Sequence, residues 1–174
     1  MSNVASRMEA EDNKLYLPVP GVKLQDLLDW QDPDQRNHRH LVHVSNPNHE
    51  LKVSFDSMNS AESHVHRKCF GQAVDLNDDT IALFRIGKEV YATQAKCPHA
   101  GGPLHLADIE ELVLGQVSLR CPWHKWTFNI DNGCSISPPG RNVVARTYPV
   151  KVGSGGELRI GFESFGPSAF EMDF

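Results

Sequence analysis

What the chain lacks narrows the field first. No run in its 174 residues approaches the roughly eighteen apolar residues of a membrane-spanning helix. Four cysteines are too few and too scattered for a disulfide scaffold at this length. Positive charge is not in excess either. Seventeen Lys and Arg stand against 22 Asp and Glu, a net charge of −5, which argues against a nucleic-acid partner. The start, MSNVASRMEAEDNK, has neither the apolar core of a signal peptide nor the Arg-rich, acid-poor look of a transit peptide. No internal repeat is visible. These absences predict a soluble, cytoplasmic protein. At 40% hydrophobic residues the chain is too apolar for general disorder, and it is long enough for one domain with an ordered extension.

Residues 1–19 read as a loose start. Leu24, Leu27 and Leu28 sit at helical spacing and predict a short helix within 20–30, followed by a loop over 31–40. Residues 40–56 read as a hairpin, with Leu51, Val53 and Phe55 alternating and Asn46-Pro47-Asn48 as its turn; 57–66 is a polar linker. From Val65 the pattern is short strands and turns. TIALFRI and VYATQA flank Gly87-Lys88-Glu89, and Asp131-Asn132-Gly133 is a strong tight-turn signal. VVARTYPVKV and ELRIGF close the chain as a hairpin around residues 153–156, while IEELVLG is open between helix and strand. The expected class is all-β, in small antiparallel sheets. The expected organisation is an N-terminal extension (1–63, short helix and hairpin), a β-domain (64–162) and a C-terminal tail (163–174).

Chemistry concentrates in two loops. Cys97-x-His99 is followed after 21 residues by Cys121-x-x-His124, and Pro98, Gly101, Gly102, Pro103 and Pro122 shape the turns around them. In a reducing compartment such clusters bind metal. A structural zinc site usually takes like ligands in like pairs. One thiolate and one imidazole per loop instead suits a two-iron cluster, with both Cys on one iron and both His on the other. A zinc-binding structural or regulatory module is the alternative at this point.

CPHAGG and CPWH resemble the two binding loops of Rieske [2Fe–2S] proteins, in which two His replace two Cys on one iron. SISPPGR (135–141) stands where that family has a proline-containing loop over the cluster, and the string from 97 to 125 is similar to the small soluble Rieske-type ferredoxins. The resemblance covers about residues 64–162. It implies a Rieske-like fold and one [2Fe–2S] cluster per chain. Cys97 and Cys121 would hold the inner iron, and His99 and His124 the outer one. It also implies one-electron transfer between a reductase and a terminal oxidoreductase, or a place as a ferredoxin-like or regulatory subunit of a larger oxygenase or reductase complex. A self-sufficient oxygenase is not expected, since the dozen residues after Phe162 contain no His for a mononuclear iron site. The chain reads as an electron carrier without its own substrate site.

Formal charge gives the His pair its meaning. Two ferric ions, two sulfides and two thiolates sum to zero with neutral imidazoles, whereas four thiolates would start two units more negative. The potential therefore rises to between about −150 and +300 mV, against about −400 mV for plant-type ferredoxins. High-potential members have an inter-loop disulfide whose cysteines would fall at Gly102 and Trp123, and hydroxyls that would fall at Trp126 and Phe128. None of these is available, which places the chain near the bottom of the range. Once the imidazoles titrate, the midpoint is also expected to fall with rising pH.

Other residues read more plainly. Cys69 and Cys134 lack metal spacing and read as small packed residues or inert thiols. His38, His40, His43, His49, His64 and His66 read as polar faces of strands and loops, and His105 as a neighbour of the ligands at most. Lys96, Arg120, Lys125 and Arg141 abut the loops, as solvated side chains or a cationic rim, with Asp108, Glu110 and Glu111 in the same region. Trp123, Trp126 and Phe128 read as cover that keeps water away.

Overall fold

The structure is a computed structural model that describes residues 14–37, 42–43, 66–67, 69–112 and 115–167. Thirteen strands are described: β1 (Leu15–Lys23), β2 (Val42–His43), β3 (His66–Arg67), β4 (Gln72–Leu76), β5 (Asp79–Ile86), β6 (Glu89–Gln94), β7 (Asp108–Glu111), β8 (Val117–Arg120), β9 (Thr127–Asn129), β10 (Ser135–Ser137), β11 (Thr147–Tyr148), β12 (Val150–Val152) and β13 (Glu157–Phe162). They form three antiparallel sheets in the orders β1-β13-β12, β11-β6-β5-β4 and β10-β9-β8-β7, with β2 and β3 as a separate pair. The expected all-β class holds.

β5 explains the layering. It is buried on both faces, so its side chains feed two cores. Ile81 and Leu83 join Leu17, Val19, Leu27, Leu158 and Ile160 against the first sheet. Ala82, Phe84 and Ile86 join Leu104, Ile109, Leu119, Phe128 and Ile130 against the third. The middle sheet is thus the shared wall, and the third sheet carries the Cys/His loops. Turn chemistry sets the register. Asn77 and Asp78, at φ 56 and 64, make the β4–β5 turn, and Gly87 at φ 64 opens the β5–β6 turn. Between β9 and β10, the Asn129 side chain accepts from the backbone N–H groups of Asp131 and Asn132. Gly133 has φ 72 there, and a Cβ on it would meet the Ala145 carbonyl at 1.8 Å.

Three expectations need correction. The loose start is instead β1 over Leu15–Lys23, which pairs with β13 and buries Leu17, Val19 and Val22 in the first core. Residues 15–27 therefore belong to the β-domain's own packing. Pro18 and Pro20 obscure this in the sequence, but β1 is an edge strand, the place in a sheet where proline is tolerated. The helix expected within 20–30 is only a 3-10 turn, Leu24–Asp26, although Leu27 is buried as its spacing implied. The α-helix lies in the expected loop, at α1 (Pro33–Asn37). Asp32 caps it, its carboxylate accepting from the N–H groups of Asp34 and Gln35, and Pro33 takes the first helical position.

The open stretch IEELVLG begins as strand β7, with Ile109 buried. The Leu51, Val53 and Phe55 alternation and its Asn46-Pro47-Asn48 turn lie outside the described residues, as do His38, His40, His49 and His64. Within that region Val42 and His43 pair with Arg67 and His66. Among the described residues no helix is long and apolar enough to cross a membrane.

Candidate metal centre

The two loops share one backbone design. In the first, the Cys97 N–H donates to the Gly102 carbonyl at 2.7 Å, and the Cys97 carbonyl accepts from Gly101 at 2.8 Å. In the second, the Cys121 N–H donates to the Trp126 carbonyl at 2.8 Å, and the Cys121 carbonyl accepts from Lys125 at 3.1 Å. The offsets, five residues forward and four back, are identical. So is the backbone twist: Gly101 has φ 73 and Lys125 has φ 62, both left-handed. A bridge between Lys96 and Pro103 pins the base of the first loop, and β8 and β9 pin the second.

This design turns the thiols inward and the imidazoles outward. Cys97 and Cys121 are buried, at 3% and 0% exposure, whereas His99 and His124 are exposed. The two thiols interact with each other. Their hydrogen bond holds Cys97 far above the ordinary cysteine range, with burial adding to it, and lowers Cys121 to about 6. The imidazole rings meet edge-on, with centroids 5.1 Å apart at 82°. His99 also stacks on Trp126 at 4.4 Å and 16°, and Trp126 on Phe128 at 6.2 Å. The structure therefore brings together all four candidate ligands.

Two observations bear on whether a [2Fe–2S] cluster fits. A Cβ at Gly102 would stand 2.9 Å from the Cys121 sulfur and 3.3 Å from the Trp123 ring, so only glycine leaves the inner sulfur free. The Trp123 indole Nε1 is buried without a protein partner, an N–H donor left for something the protein itself does not supply. Among the described residues no three His, Cys, Asp or Glu side chains gather as one metal ion would need. A two-iron cluster makes no such demand, because each iron takes only two protein ligands, and sulfide completes the set. The donor set of two thiols inside and two imidazoles outside fits that group. Gly102 and Trp123, the positions expected for an inter-loop disulfide, face each other and carry no sulfur.

The neighbours sort themselves by contact. Cys69 is buried and its thiol donates to the carbonyls of His105, at 3.0 Å, and Gly71, so it anchors the segment after the first loop. Cys134, expected to be packed or inert, is exposed beside its bridge to Val144. His105 is part-buried with Nδ1 unpartnered, and burial lowers its pKa. Arg120 forms a 3.0 Å ion pair with Glu110. Sequence reasoning missed the left-handed Lys125 and the stacking of His99 on Trp126. The equal spacing of Gly101 and Lys125 from their cysteines was the available signal for the first.

The chain is similar to several known proteins. A family model described as soluble Rieske-type ferredoxin matches residues 59–138. The human Rieske domain-containing protein is 38% identical over 58 residues, 33% of this chain and 36% of that protein. This chain thus spans only about a third of that relative. The 3-phenylpropionate/cinnamic acid dioxygenase ferredoxin subunit of Shigella flexneri serotype 5b is 30% identical over 91 residues, 52% of this chain and 80% of the subunit. A solved Mycobacterium tuberculosis structure, described as an NADH-dependent nitrite reductase small subunit, shares the fold. Its TM-score is 0.58 at 17% identity, over 88% of this chain and 99% of that one.

Proposed function

The chain belongs to the soluble Rieske-type ferredoxins, and on that premise we propose that it carries single electrons through a [2Fe–2S] cluster held by Cys97, His99, Cys121 and His124. The observation that carries this reading is the paired loop design, which sets two buried sulfurs together and two exposed imidazoles beyond them. When bound, the cluster supplies a one-electron couple at a potential set by its mixed ligands. The chain's own residues do the rest. Cys97 and Cys121, buried in the core, would hold one iron as thiolates. His99 and His124, both exposed, would hold the second iron and keep it within reach of a partner at the surface. Trp126 and Phe128 wall one flank against water, and Trp123 covers Gly102.

The partners in this reading are a reductase that donates the electron and a terminal oxidoreductase that accepts it, in a reducing compartment such as the cytoplasm. The name of the Shigella flexneri relative, a dioxygenase ferredoxin subunit, favours a second form of the same reading: the chain as the electron-carrying subunit of a larger complex. Anaerobic reconstitution with iron and sulfide tests the proposal. A red-brown chain whose absorbance and EPR signal change when His124→Cys is introduced supports the ligand set. Zinc retention without visible absorption refutes it, and an unchanged spectrum in His124→Cys removes His124 from the set.

A further inference from the structure

The charge of the chain is not evenly spread. The whole carries −5, yet the three loops at the cluster end, 96–105, 121–128 and 135–145, contain Lys96, Lys125 and Arg141 and not one Asp or Glu. All three cations are exposed, as are His99 and His124 between them. Their placement follows from the backbone. Lys96 and Lys125 are the residues next to Cys97 and His124. Arg141 is brought alongside because Ser137 pairs with Thr127 across β10 and β9, so the proline loop leaves the sheet beside Trp126. The Ser135 side chain and backbone N–H then tie that loop at Arg141 and Val143.

The nearby acids are on the far edge strand or in the far turn, with Asp108 the one that reaches the loop end. Asp108, Glu110 and Glu111 lie on β7, at the opposite edge of the sheet from β10, where Glu110 is paired with Arg120 and Asp108 stands across from it in register. Asp131 is at the far end of β9, in the turn away from the loops. None of the ion pairs among the described residues engages Lys96 or Arg141. Positive charge thus rings the edge where an electron would leave, on a protein that is acidic as a whole. Opposite charges raise encounter rates and select orientation, and local charge at the contact outweighs remote charge once salt shortens its reach.

We propose that Lys96, Lys125 and Arg141 form a docking rim for an electron-transfer protein whose own contact face is acidic. This rests on the functional reading above. The electron would pass through the exposed imidazole edge while carboxylates of the partner face the rim.

Small redox probes of opposite charge test the rim without knowledge of the partner. The loaded, reduced chain is mixed in a stopped-flow instrument with ferricyanide, which takes one electron to become ferrocyanide. A parallel series uses hexaamminecobalt(III), which takes one electron to become cobalt(II). Salt is raised from 10 mM to 0.15 M, shortening the screening length from about 30 Å to about 8 Å. The rim predicts that ferricyanide reacts several-fold more slowly at high salt and that the cobalt complex reacts faster. The net charge of −5 alone predicts the opposite signs. In the triple variants K96E/K125E/R141E and K96Q/K125Q/R141Q both trends lose the wild-type signs, the glutamate variant inverting the more strongly. Visible absorbance confirms loading of each variant; if one fails to load, the wild-type signs decide alone. A loaded wild-type chain showing the signs of its net charge overturns the rim while leaving electron transfer intact. A chain that takes up no cluster refutes the functional reading and the rim together.

Discussion

Gly102→Ala isolates the contact on which the inner edge of the site depends. The added methyl would stand 2.9 Å from the Cys121 sulfur and 3.3 Å from the Trp123 ring carbons. The first distance is too short for any stable contact, so the Cys121 sulfur or the first loop must move. Gly102 does not have a left-handed backbone, so strain in φ adds nothing. Overpacking of this kind costs about 1–3 kcal/mol, and the alanine recovers about 0.4–1 kcal/mol by restricting the unfolded chain. The net is a loss of roughly 1–2 kcal/mol, or about 2–8 °C in Tm for a chain of this size. The matched control is Gly101→Ala, where nothing lies within 4 Å of the added Cβ but φ is 73. It costs about 1–2 kcal/mol through the backbone alone. The two variants should therefore be destabilised alike, yet only Gly102→Ala should lose cluster or change its visible spectrum. Thermal melts and the iron content of the reconstituted chains are the assay. Full cluster content with an unchanged spectrum in Gly102→Ala would refute the reasoning.

Removing residues 1–23 should strip β1 from β13 and expose the first core at Leu158 and Ile160; the milder Leu17→Ala should cost about 2–5 kcal/mol by urea titration. Wild-type stability in both would return that segment to a loose extension. A redox titration should give a midpoint near the low end of the family range, and a value above about +100 mV contradicts it. Tyr148 is buried and donates to Asp79 at 3.1 Å, and burial holds its phenol above the ordinary tyrosine range. Its stabilising effect is complete below about pH 10 and is lost as pH rises towards the folded value, because the unfolded chain ionises first. Melts at pH 9 to 11 should therefore fall less steeply for Tyr148→Phe than for the wild type; parallel slopes would remove Tyr148 from that role.

The third sheet was legible because turns and strands alternate there in short, strongly marked units. Asp131-Asn132-Gly133 marked its β9–β10 hairpin, as Gly87 marked the β5–β6 hairpin of the middle sheet, and the Cys/His spacing marked the candidate ligands. The first sheet was not, because its edge strand has two prolines and its partner, β13, is more than 130 residues away. A pairing that distant leaves no local periodicity to read. The leucines at 24, 27 and 28 show the same limit. Their spacing correctly marked a buried face at Leu27, but Gly21 at φ 69 and a tight turn present that face in place of a helix. At the site, identity was local and visible whereas charge was not. The pairing of Arg120 with Glu110 depends on the β7–β8 register, so only the fold separates Arg120 from Lys96 and Arg141, which no ion pair among the described residues engages.

EPR of the anaerobically reconstituted and reduced chain, with iron, sulfide and zinc measured on the same sample, bears most directly on the central claim. The account predicts two irons and two sulfides per chain with a Rieske-type signal, abolished or altered when Cys97, His99, Cys121 or His124 is replaced. One zinc per chain with no signal, or a signal indifferent to all four replacements, would contradict it.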